Sequence, residues 1–153
     1  KDLRNAETYS KILADHHINA ALLEIELTET AAVSEFDCVK RLFACFQEKN
    51  MQTSLDDFGA GYSLLNSVVD IPINTVKLDR SFLTRCTTNQ RGLYFLQEIV
   101  NMVKGLGYQV ICEGIETKDQ VDLMRSLGCD AAQGFWFSKA ISAEAFEQKY
   151  MTD

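Results

Sequence analysis

The chain has 153 residues, 46% of them hydrophobic and 24% charged, enough for one domain with a buried core and ordinary for a soluble protein. A formal net charge of −7, a pI of about 4.8 and the lack of a basic stripe argue against DNA, RNA or an anionic membrane surface as partner. No apolar run is long enough to span a bilayer and no signal-peptide pattern opens the chain, so a cytoplasmic domain is expected, whatever anchor a parent protein carries.

The start at Lys1 without Met, in mid-pattern, reads as a piece of a longer protein. Five cysteines (Cys38, Cys45, Cys86, Cys112, Cys129) form an odd set with no CxxC pair, which predicts reduced thiols rather than disulfides or a zinc site. His16 and His17 have no Cys or His partner at ligand spacing.

In chain order, Ala6, Tyr9, Ile12 and Leu13 share a face of a helix predicted over 4–16. Residues 22–27 alternate strictly, with Leu23, Ile25 and Leu27 on one face and Glu24 and Glu26 on the other. Carboxylates opposite an apolar face suit a barrel whose outside is covered by helices and whose polar inside opens at a rim. Thr28 to Thr30 leave that strand, and Ser34 with Asp37 resembles a capping box opening a helix over 34–49. A strand over 52–57 ends in Asp56 and Asp57, and Gly59 and Gly61 turn the chain after it. Leu64, Leu65 and Val68 suggest a short helix, stopped by Pro72.

A strand over 75–79 follows, with Lys77 and Asp79 on one face, and 81–90 reads as a polar loop. A helix over 91–106 ends near Gly107, and a strand over 109–113 ends in Glu113. Thr117 and Gln120 form a capping box for a helix closing at Gly128. A strand over 129–133 ends in Gln133, and Ser142 caps a closing helix over 143–150. Strands alternating with helices across short connections predict one parallel α/β domain covering 1–153.

The polar residues recur at one place in each unit. Glu26 and Glu29, Asp56 and Asp57, Lys77 and Asp79, Glu113 and Glu116, and Gln133 all fall at or just beyond strand C-terminal ends, which share one rim in a (β/α) barrel. The donors are oxygens, which suits Mg²⁺, Mn²⁺ or Ca²⁺. Two such cations would activate a water and clamp an in-line phosphoryl displacement. Lys77 would neutralise phosphate charge or position the water, or else serve as a buried ion pair. Glu113 reads as a general base, or as a further ligand or charge balance. Gln133 would orient water or substrate by hydrogen bonds, or simply be a satisfied residue at a strand end.

Five segments carry a family resemblance. Glu24-Ile25-Glu26-Leu27-Thr28-Glu29 resembles the ELTE segment of the EAL domain, and Asp56 to Ser63 resembles its DDFGTGYS loop. Val76 to Phe82 is similar to its LKIDRSF strand, Glu113-Gly114-Ile115-Glu116 to AEGVE, and Gly128 to Lys139 to its GCDxxQGYxFSKP end. The resemblance implies a TIM-type barrel that hydrolyses cyclic di-GMP to linear pGpG in bacterial second-messenger signalling, with Mg²⁺ or Mn²⁺ in a two-metal site. It implies Glu26, Asp56 and Asp57 as metal ligands, and Glu113, Lys77 and Gln133 as catalytic residues. Glu116 and Asp79 are implied as substrate-binding residues, and Glu29, Gly59 and Gly61 as the coupling loop. A homodimer through the loop and helix after Asp57 is implied as well.

The name-giving Glu-Ala-Leu strand is absent, as is the next strand with its Asn ligand. A whole barrel takes about 250 residues, so the resemblance implies a truncated barrel lacking its first two strands and a fragment with little activity. The alternative is an EAL-type receptor or protein-interaction regulator without catalysis. Ala60 stands for the usual Thr, Cys112 for Ala and Ala140 for Pro.

Overall fold

A computed structural model describes residues 4–59 and 68–151. The elements are α1 (Arg4–Asp15), a 3₁₀ turn (Ala20–Leu22), β1 (Glu24–Thr28), α2 (Glu29–Ser34), α3 (Phe36–Glu48), β2 (Gln52–Phe58), β3 (Thr75–Leu78), α4 (Arg80–Cys86), α5 (Gln90–Gly105), β4 (Gln109–Cys112), α6 (Lys118–Ser126), β5 (Ala131–Ala132) and α7 (Ala143–Tyr150). The strands form one parallel sheet in the order β1-β2-β3-β4-β5, so each strand lies beside its successor in the chain. Parallel neighbours need a crossover, and helices supply it between β1 and β2 (α2, α3), β3 and β4 (α4, α5) and β4 and β5 (α6). Among the described residues β1 and β5 are the edges of the sheet.

The core lies between sheet and helices. Leu55, Val76, Leu78 and Val110 are fully buried on the strands. Val39, Phe43 and Phe46 of α3 and Leu96, Val100 and Val103 of α5 cover them, since α3 packs on β2 and α5 on β4. All four residues of β3 are buried, as expected of a central strand covered on both faces. Leu55 and Val76 face this layer, and the alternation therefore turns Lys77 to the other side.

Several expected bounds change. The residues from 81 onward, read as a loop, begin instead as α4, which Asp79 caps by accepting from Ser81 N at 2.8 Å. Phe82, Leu83 and Cys86 sit at helical spacing and are buried, and that apolar stripe outweighs the polar composition of the segment. Ser34 does not open a helix. It ends α2, and α3 begins at Phe36 after Glu35, without a side-chain capping bond. Of the α1 face only Ala6 and Leu13 are buried; Ile12 is exposed, and Tyr9 lies stacked at 6.1 Å on Phe46. The Thr117–Gln120 capping box is present, Ser142 caps α7, and Gly107 ends α5 at φ +88°. The helix expected around Leu64 and Leu65 lies outside the described residues, as does Gly61.

One polar cluster ties β2 to β3 at the end opposite the rim. Asn74 Oδ1 accepts from Thr53 N (2.9 Å), Thr53 Oγ1 (3.1 Å) and Gln47 Nε2 (3.3 Å). Thr53 is fully buried. Replacing Asn74 by Ala leaves the Thr53 N–H without its acceptor, and about 1–3 kcal/mol of stability is expected to be lost. Urea denaturation would show this as a lower midpoint at unchanged slope.

Candidate active site

Lys77 is the centre of the rim. Its residue is 6% exposed, and its ammonium meets carboxylates from three strands. Nζ lies 2.7 Å from Glu113 Oε1 just after β4, 2.8 Å from Glu26 Oε1 on β1 and 3.8 Å from Asp56 Oδ1 on β2. Parallel register makes this possible: residues leaving neighbouring strands at the same end come out side by side. Burial alone would drive the ammonium toward neutrality. Hydrogen bonds to Glu113 and Glu26 and the charges of Glu113 and Asp56 outweigh it, so Lys77 is held protonated above its ordinary range.

The double Asp is presented by a bulge. Leu55 pairs with Val76 and Phe58 with Leu78, so β2 advances three residues while β3 advances two. Asp56 and Asp57 together face the single residue Lys77. In a regular strand adjacent side chains point to opposite faces, and one acid would leave the rim. Asp57 adopts φ +57°, the left-handed region that Asp tolerates better than most residues. Asp57 N donates to Asp56 Oδ1 at 2.9 Å. Burial, then the charges of Asp56 and Asp79, raise the Asp57 carboxyl above its ordinary value, and Lys77 only partly offsets them.

Gly59 is held from both sides. Its N–H donates to Glu29 Oε2 at 3.0 Å, and its carbonyl accepts from Arg85 Nη2 at 2.5 Å. At φ +90°, with a Cβ that would fall 2.5 Å from the Phe82 ring, the position admits only glycine. Glu29 thus ties the start of α2 to the residue directly after β2. Arg85 lies in the segment whose polarity points to a loop; Asp79 as a cap and the Phe82, Leu83, Cys86 stripe are the signals for the helix that carries it.

The remaining predicted residues lie around this cluster. Asp79 is engaged as the α4 cap, accepting from Ser81 N and Ser81 Oγ. Burial opposes its ionisation, but those bonds and the N–H groups of Phe82 and Arg80 hold its carboxyl below the ordinary value. Glu116 accepts both bonds of an Arg80 fork, at 2.6 and 3.1 Å. Gln133 joins through its main chain: its N–H donates to Cys112 O at 2.8 Å, and its carbonyl accepts from Ile115 N at 3.1 Å. Direct contact is thus confined to Glu26, Asp56, Lys77 and Glu113, with Asp57 beside them.

The donor chemistry fits a hard divalent cation, because Glu26, Asp56 and Asp57 offer carboxylate oxygens and Asp57 is crowded by negative charge. Among the described residues no three His, Cys, Asp or Glu side chains are already gathered as a cation cage. Glu26 and Glu113 are instead drawn to the Lys77 ammonium.

The EAL domain family model matches residues 2–140. The chain belongs to the EAL family. It is 35% identical over 129 residues to the cyclic di-GMP phosphodiesterase NbdA of Pseudomonas aeruginosa, covering 84% of this chain and 16% of that protein. The EAL domain of Mycobacterium smegmatis DcpA superposes with a TM-score of 0.86 at 27% identity, over 95% of this chain and 65% of that one. Klebsiella pneumoniae BlrP1, crystallised with manganese and cy-diGMP, superposes with a TM-score of 0.80 at 26% identity, over 87% of this chain and 34% of that one. These neighbours are EAL barrels of the TIM type, so the parallel α/β expectation holds. EAL enzymes are cyclic di-GMP phosphodiesterases. The chain spans 16–21% of the length of the curated relatives it matches.

The Asp57→Asn chain is expected to be more stable than the native one, by up to about 1 kcal/mol because the site is partly open to solvent. In thermal unfolding that is a rise of about 2–4 °C. The gain is full above the raised Asp57 value and fades as pH falls toward the ordinary 3.8, where protonation removes the same charge. Arg85→Ala removes one charged hydrogen bond at an exposed edge, so exchange of the Gly59 amide is expected to quicken about 3–10-fold in native-state hydrogen exchange.

Proposed function

We propose that this chain is the catalytic rim of a cyclic di-GMP phosphodiesterase, acting in second-messenger signalling and cleaving the cyclic dinucleotide to linear pGpG. The observation that supports the reading best is the Lys77 ammonium set among Glu26, Asp56 and Glu113, three acids delivered by three strands. Glu26, Asp56 and Asp57 would hold Mg²⁺ or Mn²⁺, and manganese accompanies cy-diGMP in the BlrP1 structure. A cation held there supplies charge to the phosphoryl oxygens and acidity to a water.

The chain's own residues would divide the remaining work. Lys77, held protonated, cannot act as a base; it contributes positive charge beside the phosphate and fixes Glu113 through Oε1. Glu113 takes the proton of the attacking water on its other oxygen as the water adds to phosphorus; the bridging P–O bond breaks, and the leaving sugar oxygen departs as a hydroxyl after taking up a proton from solvent. Gln133 orients water or nucleotide, and Asp79 and Glu116 border the substrate, the latter through its fork with Arg80. Glu29 holds Gly59, and with Gly61 this loop couples the acids of β2 to a homodimer contact through the segment after Asp57. A divalent cation must compete with Lys77 for Glu26, which supports the expectation of low activity for this piece alone. The same observation favours a second reading, a nucleotide-binding module without turnover.

The test is hydrolysis of cyclic di-GMP in Mn²⁺ by the whole protein that carries this chain, alongside the chain itself. Turnover that falls about 10²–10⁴-fold in Glu113→Gln, with nucleotide binding kept, is the expected result. Binding by the whole protein without any pGpG supports the silent module and removes the enzyme reading.

A further inference from the structure

Two cysteines lie together beside the rim and take no part in it. Cys112 closes β4 and is fully buried; Cys129 stands two residues before β5 and is partly buried. Their sulfurs are 3.3 Å apart, with the Cys112 thiol donating to Cys129 Sγ. The main chain fixes both. Cys112 O accepts from Gln133 N, Cys129 N donates to Met124 O, and the residue after Cys129 is tied to β4 by Asp130 N–Val110 O and Val110 N–Asp130 Oδ2, each at 2.9 Å. A cavity of about 190 Å³, lined by Val121, Met124, Arg125, Cys129, Asp130 and Phe137, reaches Cys129 from outside.

Each thiol has a distinct place. Cys129 borders the cavity, and Lys104 Nζ lies close by on Gly128 O (2.7 Å) and Asp130 Oδ1 (2.9 Å). The Cys112 hydrogen bond, against the effects of burial and of Asp130 and with help from Lys104, holds the Cys129 thiol below its ordinary value. A partly exposed thiol whose ionised form is favoured is the reactive one of a pair, and here the Cys112 hydrogen bond favours it. Cys86, by contrast, is buried on α4, and burial pushes its thiol up.

We propose that Cys112 and Cys129 are an oxidative modification site, converted to an intramolecular disulfide by a hydroperoxide. Cys129 Sγ attacks the peroxide; an S–O bond forms, the O–O bond breaks, and the leaving oxygen departs with a proton as water or an alcohol. Cys112 Sγ then attacks the Cys129 sulfur; the S–S bond forms, the S–O bond breaks, and hydroxide leaves with the Cys112 proton as water. The two thiols lose two electrons and the peroxide gains them. Closing 3.3 Å to a bond of about 2.05 Å draws the end of β4 toward the entry of β5, next to Glu113.

The experiment treats the chain with hydrogen peroxide, blocks remaining thiols with an alkylating agent and maps tryptic peptides by mass spectrometry. Residues 105–118 and 126–139 are expected to run as one species, two hydrogens lighter than the sum and split by dithiothreitol. In Cys112→Ala, which places at 112 the residue usual in the family, the linked species should vanish and Cys129 should accumulate as a sulfenic acid captured by dimedone. Dimedone capture at Cys129 of the native chain without the linked species overturns the proposal. So does linkage of Cys129 to Cys38, Cys45 or Cys86 in preference to Cys112, or no oxidation at either position.

Discussion

A single buried ammonium sets the character of this molecule. Lys77 lies on the central strand, and an uncompensated charge there would cost several kcal/mol. Glu26, Asp56 and Glu113 compensate it, and each comes from a different strand or strand end. The electrostatics therefore also align the sheet, since the contacts exist only when β1, β2 and β4 leave the core in register. With Asp57 added, four carboxylates face one ammonium, which leaves three negative charges uncompensated at the rim. A field of that sign at a partly buried rim attracts cations. The acids are thus poised between two positive partners: the lysine they already have, and an ion that would have to draw Glu26 from it.

The supports of this centre are as specific as the centre. Glu29 and Arg85 grip the two polar groups of one peptide-forming residue, Gly59, directly beyond the double Asp. Both lie outside the cluster, Glu29 at the start of α2 and Arg85 in the last turn of α4. The position of Gly59 is therefore set by side chains from two helices, α2 and α4. Similarity to the DcpA and BlrP1 domains over most of this chain places the same frame in proteins of very different total length.

Much of this was legible in the residues. Strict alternation in 22–27 gave β1 and its carboxylate face, and capping signals at Thr117 and Ser142 located α6 and α7. The cluster of Glu26, Asp56, Lys77 and Glu113 followed from one observation, acids and a lysine at strand C-terminal ends. What stayed hidden depends on tertiary context. The α4 helix was masked by Arg80, Ser81, Thr84 and Arg85, whose polarity concealed three buried positions. The break between α2 and α3 at Glu35 has no capping bond to announce it. The engagement of Asp79 as a cap and of Glu116 by Arg80 could not be read from spacing, because each partner is chosen by the fold.

The bulge in β2 carries a consequence for how such a domain can change over time. One surplus residue between Leu55 and Phe58 is what brings two neighbouring acids to the same lysine. Removing a single codon for either Asp would restore an even ladder between β2 and β3, with the flanking pairs intact. The strand would lose a defect, and the rim would lose an acid in the same step. A rim with one acid fewer and a sound fold are therefore one deletion apart, so a lineage can alter the rim and keep the scaffold without passing through an unfolded intermediate sequence.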